Sequence, residues 1–157
     1  MQIRAYRAPH DFAAVRRCQM ALQDFERSLD PRLPSGEDIV DAYLALLLDR
    51  CARFAGALFV AELDGRVTGF VSVLGAYRSD DITNDPTTHA YVDDLVVLDE
   101  YRSRGFGRAL LQHAEAYAIA CGRSSIRLRV KSGNRHALEF YNRGGYRDFE
   151  HELEKRL

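Results

Sequence analysis

Two spacings of apolar residues follow one another along the chain and predict alternating helices and strands. One is the interval of three and four that gives a helix a single apolar face, as at Val40, Leu44 and Leu47. The other is the interval of two that is typical of a strand, as at Ile126 and Leu128. Followed along the chain, they predict strands at residues 2–7, 57–63, 66–74, 91–97 and 125–130, and helices at about 11–28, 37–54, 106–121 and 135–143.

The last segment, residues 146–157, has apolar positions that fit two structures. Phe149, Leu153 and Leu157 share one face at a period of two, which predicts a final strand. The same residues also fit a period of four. We take the strand as the expectation for this segment.

The order of these elements predicts one α/β domain over residues 1–157. Strands and helices follow as β-α-α-β-β-β-α-β-α-β, which favours a mixed sheet with helices packed on its faces. Asp64-Gly65 is a strong two-residue turn signal for a hairpin between the second and third strands. The strand–helix–strand unit at residues 91–130 is expected to pair its strands in parallel, through a right-handed crossover.

Composition narrows the classes of partner and compartment. The formal net charge is −1, so broad binding to nucleic acid or to a membrane surface is not expected. Cys18, Cys51 and Cys121 fit neither a disulfide framework nor a metal-ligand spacing. No apolar run approaches the ~20 residues that span a bilayer, and no signal peptide is recognisable. We therefore expect a metal-free cytoplasmic protein without nucleic-acid or membrane partners.

Residues 91–111 combine a strand, a charged connector and a helix that begins through Gly105-Phe106-Gly107. Glycine at two positions lets the backbone turn tightly and approach a ligand closely. The first amide N–H groups of a helix have no partner within it, and they form an anion site with the helix dipole. Arg102, Arg104 and Arg108 crowd the same place. The stretch therefore predicts a phosphate-binding turn.

Three explanations of this glycine turn compete. A Walker-type loop needs Gly-x-x-x-x-Gly-Lys-Ser/Thr, and the chain has no such run. A dinucleotide fold needs a third glycine where this chain has Leu110, and an acid on the next strand, where it has Arg127 and Arg129. A plain tight turn would leave the two glycines and three arginines at one strand-to-helix junction without a role.

A family resemblance supplies a better explanation of the turn. Residues 102–107, Arg-Ser-Arg-Gly-Phe-Gly, match the Arg/Gln-x-x-Gly-x-Gly/Ala signature of the GNAT superfamily of acyl-CoA-dependent N-acyltransferases. Residues 94–101 resemble the fourth strand of that family. Residues 134–146 resemble its second motif, Asn-x-x-Ala-x-x-Phe-Tyr followed by a Gly-aromatic pair. Both motifs lie in the family's order, and the element order is similar to the GNAT fold along the whole chain.

The resemblance implies a fold and a cofactor site. The fold would be a mixed, mostly antiparallel sheet of six to seven strands, flanked by about four helices, with splayed fourth and fifth strands. The co-substrate would be acetyl-CoA, whose pantetheine arm would lie along the fourth strand in that splay. The implied contacts are Leu95, Val96 and Val97 for the arm, Arg102, Ser103, Arg104, Gly105, Phe106, Gly107 and Arg108 for the pyrophosphate, and Asn134, which is also an N-cap candidate.

The resemblance also implies catalytic residues. Tyr141 matches the family's general acid, and a phenol can protonate a departing thiolate because the two groups have similar pKa values. Asp93 is the candidate base, with Tyr91 or a chain of waters as alternatives. Asp94 would face the other way unless a β-bulge intervenes. The family's other common base position, on the fifth strand, is Arg129 here, so the sequence departs from the pattern at that point.

We therefore predict an acetyl-CoA-dependent N-acetyltransferase that acts by direct attack of a primary amine in a ternary complex. A small-molecule amine is favoured over a protein N-terminus. The alternative is a non-catalytic domain that binds or senses acyl-CoA on the same fold. Residues 78–88 are predicted to be an exposed loop, and its acidic residues could draw in a cationic amine. The resemblance also allows a homodimer.

Overall fold

The computed structural model describes residues 1–78 and 87–155, and it contains four helices and five strands there. Strand β1 spans Gln2–Ala5, β2 Gly56–Leu63, β3 Arg66–Tyr77, β4 His89–Val97 and β5 Ile126–Leu128. Helix α1 spans Phe12–Leu29, α2 Gly36–Arg53, α3 Phe106–Ala120 and α4 Arg135–Arg143, and a short 3-10 turn covers Asp99–Tyr101. The predicted order of elements is confirmed up to α4. Most of the loop predicted at residues 78–88 lies outside the described residues.

The strands form one mixed sheet in the order β1-β2-β3-β4-β5. The first three pairings are antiparallel, and β4 pairs with β5 in parallel, so the parallel unit around α3 was predicted correctly. The β2–β3 hairpin turns at Asp64 and Gly65, which both have positive φ, of 50° and 75°. That conformation is the one in which a two-residue turn follows the twist of its strands.

The expectation of six to seven strands is wrong for the described part of the chain, which has five. Residues 146–155, predicted as a strand, are irregular. The period-two pattern there has no sheet face to bury, because Phe149 is 70% and Leu153 93% exposed. A strand prediction from periodicity depends on such burial.

Two apolar clusters cover the two faces of the sheet. On one face, α1 and α2 pack against β2, β3 and β4 through residues such as Leu44, Leu47 and Phe70. On the other face, α3 packs through residues such as Leu110 and Ala114. β3 is the buried centre of the sheet, since nine consecutive residues from Val67 to Gly75 are buried. The sheet therefore presents the middle of β4 to α2 on one side and to α3 on the other.

A buried ion pair fastens β1 to the start of α1. Two guanidinium nitrogens of Arg4 donate to the carboxylate of Asp11 at 2.6 and 2.9 Å, and a third donates to Glu62 at 2.7 Å. The backbone N–H of Arg7 also donates to Asp11, at 2.8 Å. The Arg4 hydrogen bonds hold the pKa of Asp11 far below its ordinary value, against the effect of burial. This pair fixes the entry to α1 on the face opposite α3.

Candidate active site

β4 contains a bulge that turns two consecutive carboxylates toward the same side of the sheet. Asp94 lies opposite Ser72 of β3, whereas the next β3 residue lies opposite Val92, so Asp93 is left as the extra residue. A bulge interrupts the alternation of side chains along a strand. Both carboxylates consequently meet side chains of α2. A β-bulge is the condition under which Asp94 could share a face with Asp93, and the register shows that bulge.

Asp94 is buried in a network of hydroxyl groups. The Tyr43 hydroxyl of α2 donates to its two carboxylate oxygens at 2.9 and 3.0 Å. The Ser72 hydroxyl lies 3.2 Å from Oδ2 and accepts the backbone N–H of Asp94 at 3.0 Å. Burial raises the pKa of Asp94 to about 7; the Tyr43 hydrogen bond opposes that rise, and the charge of Asp93 adds to it. At neutral pH this carboxylate can therefore both bind and release a proton.

Asp93 is held by one arginine and keeps one oxygen without a partner. Its Oδ1 lies 3.0 Å from Nη2 of Arg50, and its side chain is only 5% exposed. Its Oδ2 is buried and has no hydrogen-bond partner among the described residues. Burial raises the pKa of Asp93, and Arg50 partly offsets that rise. The Arg50 guanidinium also lies over the Tyr77 ring, 5.7 Å from its centroid, and that ring contacts Tyr91.

The glycine turn has the backbone geometry of an anion site. Gly105 precedes α3 with a φ of +84°, in the left-handed region that glycine adopts without strain. The residue two positions before it, Ser103, also has a positive φ, of 61°. The amide of Ala109 bonds to the Gly105 carbonyl at 3.0 Å, so the preceding amides of residues 106–108 form the free first turn. These donors lie at the positive end of the α3 dipole.

The three arginines at this turn differ in what they contact. Arg102 is tied back, because its Nε donates to the Val97 carbonyl at 3.1 Å and its Nη2 lies 2.8 Å from Asp99. Arg104 lies over the Tyr101 ring, 5.9 Å from its centroid. Arg108 is exposed on the first turn of α3. Arg102 therefore shapes the turn as well as adding charge to it.

Gly107 is the point where the turn, β4 and α4 meet. A Cβ built at Gly107 would lie 3.6 Å from the Phe140 ring and 3.9 Å from the Leu95 side chain. Phe140 belongs to α4, which begins at the N-cap Asn134, whose Oδ1 accepts the Ala137 amide at 3.1 Å. The N-cap prediction for Asn134 is confirmed. The two sequence motifs therefore adjoin the same segment of β4.

Tyr141 follows Phe140 and has its phenol within electrostatic reach of Asp94. Burial raises the pKa of Tyr141 to about 12, and the charge of Asp94 adds to that rise. Its ring contacts the rings of Phe140 and Tyr146, at centroid distances of 5.1 and 5.6 Å. A phenol in this setting keeps its proton at neutral pH, which suits a donor of protons.

β4 and β5 separate where the acyl site is expected. Their pairing covers only residues 90–92 of β4, opposite 126–128 of β5. From residue 93 onward, the described part of β5 gives the β5-facing edge of β4 no partner. Leu95, Val96 and Val97 lie on this open stretch, with Val96 and Val97 buried and Leu95 packed against the α3 side. An extended ligand arm could bond to that edge as an added strand does.

The structure brings most of the predicted residues together, adds Ser72 and Arg50, which the sequence did not single out, and shows the partner of Tyr43, a residue that from sequence could either line the site or pack. Tyr43, Ser72 and Arg50 complete the surroundings of the two carboxylates. Helical spacing alone predicts that Tyr43 faces the sheet, but it does not identify its partner. Within residues 1–78 and 87–155, no cluster of histidine, cysteine and acidic residues could hold a metal ion. No helix in those ranges has the length and apolarity to cross a membrane.

Solved structures show the same fold. The tetramutant of the BH1408 protein from Bacillus halodurans superposes with a TM-score of 0.85 at 19% identity, over the full length of both chains. AAC(6')-Iy, in complex with the bisubstrate analog CoA-S-monomethyl-acetylneamine, superposes with a TM-score of 0.70 at 19% identity, over 99% of this chain and 97% of that one. Identities this low establish the fold alone.

Sequence comparisons establish the family. The N-alpha-acetyltransferase of Sulfurisphaera tokodaii is 28% identical over 104 residues, which are 64% of this chain and 62% of the relative. This chain spans between 42% and 62% of the length of the first curated relatives that it matches. The profile of the acetyltransferase (GNAT) family matches residues 20–146, from within α1 to the aromatic residue after α4. The chain therefore belongs to the GNAT acetyltransferase family.

Proposed function

We propose that this chain transfers the acetyl group of acetyl-CoA to a primary amine, which attacks the thioester directly in a ternary complex. The observation that carries the proposal is the meeting of the glycine turn, β4 and α4 at Gly107. At this point the first turn of α3 adjoins Leu95 on the open stretch of β4 and the ring of Phe140, the chain neighbour of Tyr141. Members of the family use acetyl-CoA and act on amines.

The residues where the glycine turn, β4 and α4 meet fit acetyl-CoA. The pyrophosphate would accept hydrogen bonds from the amides of residues 104–108, with Ser103 and Arg102 shaping the turn before them. The pantetheine arm would pair with the open β4 edge at Leu95, Val96 and Val97. Asn134 would contact the same ligand from the start of α4 while its side chain caps the helix. This arrangement leaves the thioester near the bulge.

Tyr141 and Asp93 are the proposed acid and base. Tyr141 is protonated at neutral pH, and because burial raises the pKa of its phenol to about 12, it gives up that proton only as negative charge develops on the sulfur. Asp93 has a raised pKa and a buried Oδ2 with no partner in the described chain, so an ammonium group can bind there. Tyr91 or a chain of waters is the alternative route for that proton.

Direct attack is favoured over a covalent acyl-cysteine. Cys51 of α2 lies within electrostatic range of the two carboxylates. Burial raises the pKa of its thiol to about 11, and the charges of Asp93 and Asp94 add to the rise. A thiol in that state is a poor nucleophile because the thiolate is the reactive form. The amine therefore needs no covalent intermediate on this chain.

A small-molecule amine is the proposed acceptor. Asp93 and Asp94 place two acidic groups beside the bulge, and Asp93 keeps one oxygen without a partner among the described residues, which favours a single cationic amine. AAC(6')-Iy was solved with the bisubstrate analog CoA-S-monomethyl-acetylneamine, whereas the Sulfurisphaera tokodaii relative is named an N-alpha-acetyltransferase. A peptide N-terminus is thus the rival acceptor. The homodimer and the cytoplasmic location remain predictions.

A thiol-release assay with acetyl-CoA and a panel of amines and peptides tests the proposal. We expect free thiol and acetylated amine in equal amounts, with small amines turned over faster than peptides. A parallel thermal-shift titration with coenzyme A separates the alternatives. Stabilisation by coenzyme A without turnover of any amine would favour the non-catalytic acyl-CoA-binding domain. If neither turnover nor stabilisation by coenzyme A were observed, the proposed acyl-CoA site would be contradicted.

A further inference from the structure

The bulge leaves one carboxylate, Asp94, in a position that the roles assigned to Tyr141 and Asp93 do not use. Asp94 is 6% exposed, yet it carries two hydrogen bonds from Tyr43 and one from Ser72. Tyr43 itself is only partly buried, and its hydroxyl is the group of α2 that bonds to this carboxylate. Burying an ionisable group is costly, and such groups cluster where they take part in chemistry.

The proposed reaction needs a second proton acceptor. An ammonium acceptor has three protons on nitrogen, and the amide product has one, so two protons leave nitrogen. One equivalent of proton ends on the coenzyme A thiol and one reaches solvent. Asp93 accepts one proton from nitrogen, and Tyr141 donates a proton to the thiolate. The second proton leaves nitrogen separately, and Tyr43 with Asp94 offers a path for it.

We propose that Tyr43 and Asp94 form a proton relay, in which Tyr43 accepts the second proton from the acceptor nitrogen and Asp94 takes the proton of Tyr43. The inference rests on the proposed function and names a further route within that same site. It goes beyond the assignment of Asp93 and Tyr141, because it gives the second carboxylate of the bulge a separate task.

The two protons that leave the acceptor nitrogen follow separate routes. Asp93 removes one proton from the ammonium, and the freed nitrogen lone pair forms the N–C bond at the thioester carbonyl. As the nitrogen loses its second proton to the Tyr43 oxygen, the Tyr43 O–H proton binds Asp94. The C–S bond breaks with its electron pair on sulfur, which takes the proton of Tyr141. Asp94 and Asp93 then each release a proton, and the phenolate of Tyr141 gains one from solvent, so that one proton in total reaches solvent.

The groups around Asp94 support this assignment and are drawn from every element packed against it. They are Gln19 of α1, Tyr43 and Cys51 of α2, Ser72 of β3, Asp93 of β4 and Tyr141 of α4. Tyr43 and Ser72 lower the pKa of Asp94 by hydrogen bonding, whereas burial and Asp93 raise it. The result of about 7 leaves Asp94 able to accept a proton at neutral pH and to release it again.

The test is the pH dependence of kcat for the wild type and for Tyr43→Phe. In the wild type we expect kcat to fall as the pH drops through about 7, because protonated Asp94 accepts nothing further. Tyr43→Phe removes the relay oxygen and a hydrogen bond that favours the charged carboxylate. We expect kcat to fall by about tenfold to a hundredfold, in line with general acid–base steps, and the acidic limb set by Asp94 to disappear, because no proton then reaches Asp94 in the reaction. Ser72→Ala keeps the relay but removes a hydrogen bond that lowers the pKa of Asp94, so its acidic limb is expected to move to higher pH.

Tyr6→Phe is the matched control, because Tyr6 packs against the same apolar cluster as Tyr43. We expect its pH profile to match the wild type. A Tyr43→Phe enzyme that keeps an acidic limb near pH 7 would overturn the relay, whether or not kcat is lower, because Asp94 would then govern the rate without Tyr43. Absence of turnover in the wild type would instead contradict the proposed function. Thermal unfolding of each variant confirms that the proteins compared are folded.

Discussion

Replacing Asp94 by asparagine should make the protein more stable at alkaline pH while it lowers activity. Asp94 is buried, and its pKa of about 7 lies well above the ordinary value of 3.8 for an aspartate. Between those two values the folded state binds a proton that the unfolded chain has released. Stability therefore falls as the pH rises through this window. Asparagine has no charge to lose, so the variant avoids that fall.

The magnitude follows from the size of the shift. One pKa unit corresponds to about 1.4 kcal/mol, so the shift of Asp94 costs about 4 kcal/mol above pH 7. Between pH 5 and pH 8 the change amounts to about 3 kcal/mol, since part of the loss has already occurred by pH 5. The amide can still accept the Tyr43 hydroxyl, but its NH₂ group adds a fixed cost of about 1–3 kcal/mol if it finds no acceptor.

Urea unfolding followed by circular dichroism at pH 5 and pH 8 measures this directly. We expect the free energy of unfolding of Asp94→Asn, relative to the wild type, to increase by about 3 kcal/mol between the two pH values. The exposed carboxylate Asp49 of α2 supplies the control for removal of one negative charge, as Asp49→Asn. A stability difference between Asp94→Asn and the wild type that is the same at both pH values would refute the reasoning. It would mean that Asp94 is not charged at a cost in the folded state.

Two further predictions concern the glycine turn and the fastening of α1. Gly105→Ala places a side chain at a φ of +84°, in open space, so backbone strain alone should cost about 1–2 kcal/mol; coenzyme A binding should weaken, as isothermal titration and thermal unfolding can measure. Asp11→Ala leaves the buried Arg4 without its main partner and should lower the free energy of unfolding in urea by about 3–5 kcal/mol; a loss below 1 kcal/mol would show that the pair is solvated.

The parts of the site that depend on local sequence were predictable. The glycine turn, the N-cap of α4 and the adjacency of Phe140 and Tyr141 follow from residues that lie close together in the chain. Their conformations are set by backbone geometry and capping, which a sequence pattern expresses directly. The family resemblance then indicated which part of the proposed acetyl-CoA site each of them forms.

The parts that depend on distant partners were not predictable to the same degree. Whether Asp94 joins Asp93 on one face depends on the register between β3 and β4, which only the pairing of Val92 with a β3 residue reveals. The prediction of a final strand over residues 146–157 was wrong for a related reason. Its apolar positions alternate correctly, but Phe149 and Leu153 remain exposed, and alternation without burial does not make a strand.

The central claim is that Tyr141 serves as the acid for acetyl transfer from acetyl-CoA bound at the Gly105–Gly107 turn. The most direct measurement compares the wild type and Tyr141→Phe for two quantities, the kcat of thiol release and the Kd of coenzyme A. Tyr146→Phe is the control, because the Tyr146 hydroxyl bonds to Glu115 at 3.1 Å, outside the proposed chemistry. We predict that Tyr141→Phe lowers kcat by about a hundredfold or more and leaves the Kd unchanged. An unchanged kcat would contradict the claim.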